Sequence, residues 1–190
     1  TIAQVDAPLQ VPVQTTPNED DGNVKALRSV SEKIASYAAN NELPSPCLIL
    51  DVDIVESAYH ALSDALPSAK IHYAVKANPA PEILARLARL GSSFDAASRA
   101  EIEMCLDQGV SPDRVSFGNT IKKEVDIAFA YEAGIRLFAF DSEAELEKLA
   151  RSAPGSKVFV RILMECEGAD WPLSRKFGCE PSMAIALLVR

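Results

Sequence analysis

Three residues stand where short apolar runs give out and carry side chains able to do chemistry. They are Lys76 at the end of IHYAV, Asp95 at the end of SSFD, and Arg161 within VFVRI. A primary amine can condense with an aldehyde, provided its surroundings supply enough of the neutral form. Because an ordinary lysine has a pKa of about 10.4, a reactive Lys76 needs desolvation or nearby positive charge to work near neutrality. A guanidinium and a carboxylate at the same rim can hold oppositely charged parts of one ligand. Each residue also has a bland reading: a solvated lysine whose stem packs on the sheet, an aspartate capping a loop, an arginine bridging two carboxylates. Spacing alone leaves both open. Asn119, after VSFG, is a weaker fourth candidate.

Counting by twos from His72 through Ala74 reaches Lys76, so a strand running that far could set both on one face, although a lone strand histidine is more often a packed core residue. His60 falls on a predicted surface helix. With only 2 histidines, on different elements, and cysteines 47, 105, 166 and 179 far apart, the expectation is no metal site and reduced, structural thiols. No GxGxxG, GxxxxGK[ST] or Gly-Xaa-Ser-Xaa-Gly signature occurs.

The elements that must position these residues are rhythmic. Apolar strands are predicted at 47–50 (CLIL), 71–75, 92–95, 115–118, 136–140 and 158–162, with starts 24, 21, 23, 21 and 22 residues apart. Between them lie helix signals: Pro81 and Gly91 bracket PEILARLARLG, SRAE and SEAE have capping-box spacing, and Thr120 is placed to cap the helix after it. Regular βα units without a glycine-rich first turn favour a (β/α) barrel over an open doubly wound sheet. In either, ligands gather where strands end. Residues 164–181 break the rhythm and read equally as a lid over the rim or as a long loop anchored by Trp171 and Phe177.

Composition sets the limits. A 190-residue chain with 48% hydrophobic content can bury a core, and a net charge of −8 argues against nucleic-acid binding while suiting a small cationic substrate. The apolar runs are too short for a bilayer span, so no membrane association and a cytoplasmic location are expected. Residues 1–45 read as an arm plus an amphipathic helix at 24–39, and residues 46–190 as the βα region. The final apolar helix stops without a cap, as a fragment of a longer chain would.

The stretches YAVKANP (73–79), SSFDAASRAEIE (92–103), FGNTIK (117–122), AFDSEAELEKL (139–149), VRI (160–162) and LSRKFG (173–178) occur in this order. Together they resemble the pyridoxal-phosphate decarboxylases of the ornithine, lysine and diaminopimelate group, from about residue 44 onward. The resemblance implies an α/β fold: a partial (β/α)8 TIM barrel, the N-terminal portion of an alanine racemase-like barrel, with CLIL belonging to a second β domain. It implies pyridoxal 5'-phosphate as cofactor, Lys76 as the catalytic residue bonded to it, and Asp95 and Arg161 lining its site, with further site residues beyond 190. The activity implied is decarboxylation of L-ornithine or L-lysine to a diamine for polyamine synthesis, by a homodimer when full length and not by this chain alone. ADWPLSRKFG favours the ornithine and lysine enzymes. The alternatives are a diaminopimelate decarboxylase, an amino-acid racemase on the same barrel, or a non-catalytic homologue kept for protein interaction.

Overall fold

The computed structural model describes residues 32–164 and 176–189. The chain divides into two compact units, Thr1–Asp51 and Val52–Arg190. In the first, a helical run over 32–40 ends where Asn40 and Asn41 donate their side-chain amides to the carbonyls of Ser36 and Tyr37, four residues back, each at 2.7 Å. Lys33 pairs with Asp51 at 3.0 Å. The predicted helix over 24–39 is therefore seen from 32 onward, and its first part lies outside the described residues. The strand expected at CLIL is not formed. Residues 47–50 are irregular and Leu48 is 83% exposed, because a strand needs a ladder partner and this segment has none among the described residues.

The second unit alternates helix and strand: α1 (Val52–Ala65), β1 (His72–Ala74), α2 (Pro81–Arg89), β2 (Ser93–Ala96), α3 (Arg99–Asp107), β3 (Val115–Phe117), α4 (Glu124–Glu132), β4 (Leu137–Phe140), α5 (Glu143–Ser152), β5 (Lys157–Val160) and α6 (Pro181–Leu188). The five strands are parallel and neighbour one another in sequence order, β1-β2-β3-β4-β5. A doubly wound sheet reverses its order at a switch point, and this one does not. With right-handed crossovers throughout, unreversed order places every connecting helix on one face, the winding of a (β/α) barrel. The strands are shorter than their apolar runs, so Arg161 lies just past β5 and not within it.

Strand parity separates the two faces. Val75, Phe94, Ala96, Val115, Phe117, Phe138 and Phe140 point into the helix layer and form one buried cluster with Ile83, Leu84 and Leu87 of α2, Ile102 of α3, Ile127 of α4 and Leu149 of α5. Tyr73 meets Phe94 edge-on at 6.3 Å between ring centroids, within the favourable range for aromatic pairs. The opposite face carries His72, Ala74, Ser93, Asp95 and Ser116, which the ladder aligns as Ala74↔Asp95↔Ser116. A continuous apolar run such as RLFAF suggests burial on both sides, yet the inner face begins with polar and small residues.

The caps explain the helix starts. Ser98 and Ser142 each accept the amide of the residue three positions on, as the capping-box spacing predicts. Thr120 caps nothing: α4 starts after Lys123, and Thr120 is fully buried with no hydrogen bond to its hydroxyl. Among the described residues no helix is long and apolar enough to cross a membrane.

Replacing Phe138 by alanine should destabilise the protein by about 3–5 kcal/mol, since its fully buried ring leaves a cavity, whereas Val125→Ala at an exposed helix position should stay within about 0.5 kcal/mol. Urea denaturation followed by circular dichroism measures both.

Candidate active site

YAVKANP folds as a strand-to-helix turn. Val75 is fully buried and opens a short 3-10 turn, Val75–Ala77, that leaves Lys76 exposed at the end of β1. The chain is then fixed from two sides: Tyr73 donates its hydroxyl to the Asn78 carbonyl at 3.1 Å, and the Asn78 side chain accepts the Ala80 amide at 3.0 Å. Pro81 begins α2 one residue later. The Asn-Pro pair after the lysine is thus the means by which the chain leaves the strand without covering the amine.

Asp95 sits on the neighbouring strand, in register with Ala74. Its Oδ1 accepts the Ser116 hydroxyl from β3 at 2.6 Å. Its carboxyl group occupies the space beside Gly118, where a Cβ would clash with both carboxyl oxygens and Cγ. Gly118 is required for room and not for a left-handed backbone. His72 Nδ1 lies 3.5 Å from the same Ser116 hydroxyl oxygen. Ser116 gives its proton to Asp95, so the Nδ1 contact is satisfied when that nitrogen carries hydrogen. Burial, reinforced by the Lys70 ammonium, pulls the His72 imidazole below its ordinary value and favours the neutral ring.

Arg161 follows β5, three strands from Asp95 in the sheet order. Its amide donates to Phe140 at 2.8 Å, its carbonyl accepts Cys179 at 3.0 Å, and its guanidinium lies 4.6 Å from the centre of the Phe177 ring. Gly178 has φ +96°, and a Cβ there would meet the Ile162 backbone at 2.8 Å; its amide donates to Asp141 at 2.9 Å. Phe177 is therefore anchored at the rim. Trp171, Ser174 and Arg175 of the lid-or-loop segment lie outside the described residues, as does Cys166. Cys47, Cys105 and Cys179 are free thiols, and burial pushes Cys105 up to about 12.

The ladder brings Lys76 and Asp95 to adjacent strand ends and sets Arg161 at the same end of the sheet. Asn119 turns away from this role: its side-chain amide donates to the Ala97 carbonyl at 3.3 Å. Ser116, His72 and Gly118 complete the surroundings of Asp95 and were not singled out together by sequence; only the parity of His72 hinted at its face. Among the described residues no group of three or more His, Cys, Asp or Glu is placed to hold a metal.

A family model described as the pyridoxal binding domain of pyridoxal-dependent decarboxylases matches residues 52–190. The chain belongs to that family. It is 38% identical to the lysine/ornithine decarboxylase of Selenomonas ruminantium over 159 residues, covering 84% of this chain and 40% of that protein. It is 42% identical to the chloroplastic ornithine decarboxylase of Nicotiana glauca over 144 residues, covering 75% and 33%. The solved structure of SrLDC in complex with PLP and cadaverine superposes with a TM-score of 0.72 at 35% identity, covering 83% of this chain and 39% of that one. The chain thus spans between a third and two fifths of the length of these relatives. As a pyridoxal-binding domain its five parallel strands are part of a (β/α) barrel, as periodicity and motif order predicted.

Two outcomes follow from this geometry. Gly118→Ala should expel the Asp95 carboxyl group from its recess and break its bond with Ser116, seen as a displaced Asp95 carboxyl resonance in a 13C-labelled sample and a loss of about 1–3 kcal/mol in stability. Because His72 titrates lower in the folded state, its contribution to stability is full above pH of about 6.5 and is lost as pH falls through the folded value. Urea midpoints between neutral and mildly acidic pH should therefore fall with pH, less steeply in His72→Gln.

Proposed function

We propose that this chain is the cofactor-holding part of a decarboxylase for basic amino acids, with pyridoxal 5'-phosphate bound through Lys76. One observation carries the reading: the exposed amine of Lys76 ends β1 directly beside the strand that presents Asp95, whose carboxyl group lies in a recess only glycine at 118 leaves open. The residues present suit the cofactor. Lys76 provides an amine for its aldehyde, Arg161 a guanidinium for an anionic oxygen, and Asp95 a carboxyl group to orient a cationic partner, over an inner sheet face that carries the small residues Ala74 and Ser116.

When bound, pyridoxal phosphate supplies the electron sink that makes loss of a carboxylate from the α-carbon feasible. The chain's own residues bind and orient. Lys76 Nζ would hold the cofactor through its aldehyde carbon, from an exposed position at the end of β1. Asp95 cannot swing freely, since Ser116 holds one oxygen and Gly118 its flank, so it offers a fixed charge at the rim. Arg161, fixed through its backbone just past β5, holds its guanidinium over the Phe177 ring at 4.6 Å.

For the substrate we propose L-ornithine or L-lysine, giving a diamine for polyamine synthesis, in line with the named activities of the relatives. One methylene separates the two substrates, a difference that a pocket reads at about 1–3 kcal/mol and only with its full lining.

Incubation with pyridoxal phosphate, borohydride reduction and peptide mapping test the assignment. A phosphopyridoxyl group confined to the Lys76 peptide, and lost in Lys76→Arg, is the expected result; labelling scattered over many lysines, or none, overturns it.

A further inference from the structure

Lys122 is the most deeply buried lysine described, with a side-chain exposure of 0%, and the proposed reaction does not use it. Its ammonium pairs with Glu145 of α5 at 2.9 Å, and Glu145, itself 3% exposed, also holds Lys148. Replacing such a pair by apolar side chains is often neutral or stabilising, so burial of two charges here calls for a reason beyond stability.

The backbone supplies one. Along β4 and the residue before it, the carbonyls of Arg136 and Phe140 turn toward β5 and accept the amides of Lys157 and of Arg161, just past β5. By alternation the carbonyl of Ala139 faces β3. But β3 has left the sheet after Phe117, its ladder with β4 reduced to the single pair Phe117↔Phe138. Lys122 Nζ takes the missing donor's place at 2.6 Å from the Ala139 carbonyl, and the same amine donates to the Asn119 carbonyl at 2.9 Å. The turn 118–122 is thereby tied to β4 and α5 on one side. On the other, the Gly118 amide donates to Ala96 at 2.8 Å and Asn119 Nδ2 to Ala97 at 3.3 Å.

We propose that Lys122, held by Glu145, is a positioning residue: it stands in for a strand at the β3–β4 gap and sets the Gly118 turn that walls the recess of Asp95. This rests on the reading of Asp95 and Lys76 as cofactor-site residues. Lys122 touches neither and acts through the turn.

The double variant Lys122→Met/Glu145→Leu removes both charges with little change of volume, so it should fold, as circular dichroism and thermal unfolding report. Amide hydrogen exchange at Gly118 and Asn119 should accelerate at least tenfold while Ile102 in the core keeps its protection. Pyridoxal phosphate trapped by borohydride on Lys76 should fall at least tenfold in apparent affinity, and this loss should shrink to less than twofold when Asp95 is already alanine. Unchanged exchange at Gly118, or a loss of trapping as large in the Asp95→Ala background, overturns the inference while leaving Lys76 assigned. If the unaltered protein traps no cofactor on Lys76, the functional reading fails and the inference falls with it. A double variant that does not fold overturns it too, because the pair would then serve stability.

Discussion

A parallel sheet wound in one direction has to send alternate side chains of every strand into the same helix layer. That constraint governs the rest of this structure. It explains why the phenylalanines at 94, 117, 138 and 140 form one continuous core with α2 through α5, and why the loss of any of them leaves no neighbour able to fill the space. It also frees the other face. There the ladder aligns Ala74, Asp95 and Ser116 in one row, and small or polar residues can gather without weakening the core.

The polar groups on and above that face are held by space and hydrogen bonds more than by charge. Asp95 is placed by a serine hydroxyl and by an absent side chain at 118, an arrangement that restricts its rotation. The neutral tendency of His72 fits the same economy of charge beneath the rim. The deeply buried ion pair, Lys122 with Glu145, ties the turn to α5 and does not touch Asp95. Burial lowers the Lys122 pKa and the Glu145 carboxylate opposes the shift, while the amine also donates to two backbone carbonyls.

The turn chemistry illustrates how local signals were redirected by tertiary contacts. SRAE and SEAE look alike in sequence. In the first, Glu101 reaches back to the Ala97 amide at 2.7 Å and completes a local cap. In the second, Ser142 still accepts the Glu145 amide, but the glutamate side chain is drawn into the core by Lys122. Likewise Thr120, placed by spacing to start α4, is buried within the turn that Lys122 closes, and the helix begins later.

By itself the sequence determined the βα rhythm, the helix starts at Pro81, Ser98 and Ser142, the resemblance carried by YAVKANP and FDAAS, and the location of Lys76, Asp95 and Arg161 at strand ends. Those features are legible because they depend on residues a few positions apart, where period, caps and turn chemistry operate. Tertiary structure alone decided that CLIL makes no strand, that the inner face is polar next to Asp95, that Gly118 is there for a carboxyl group from β2, and that Lys122 and Glu145 share a buried site. Each of these depends on which residues of separate strands fall side by side. That is set by register and by the layer of helices that buries one face, and no short stretch of sequence carries either.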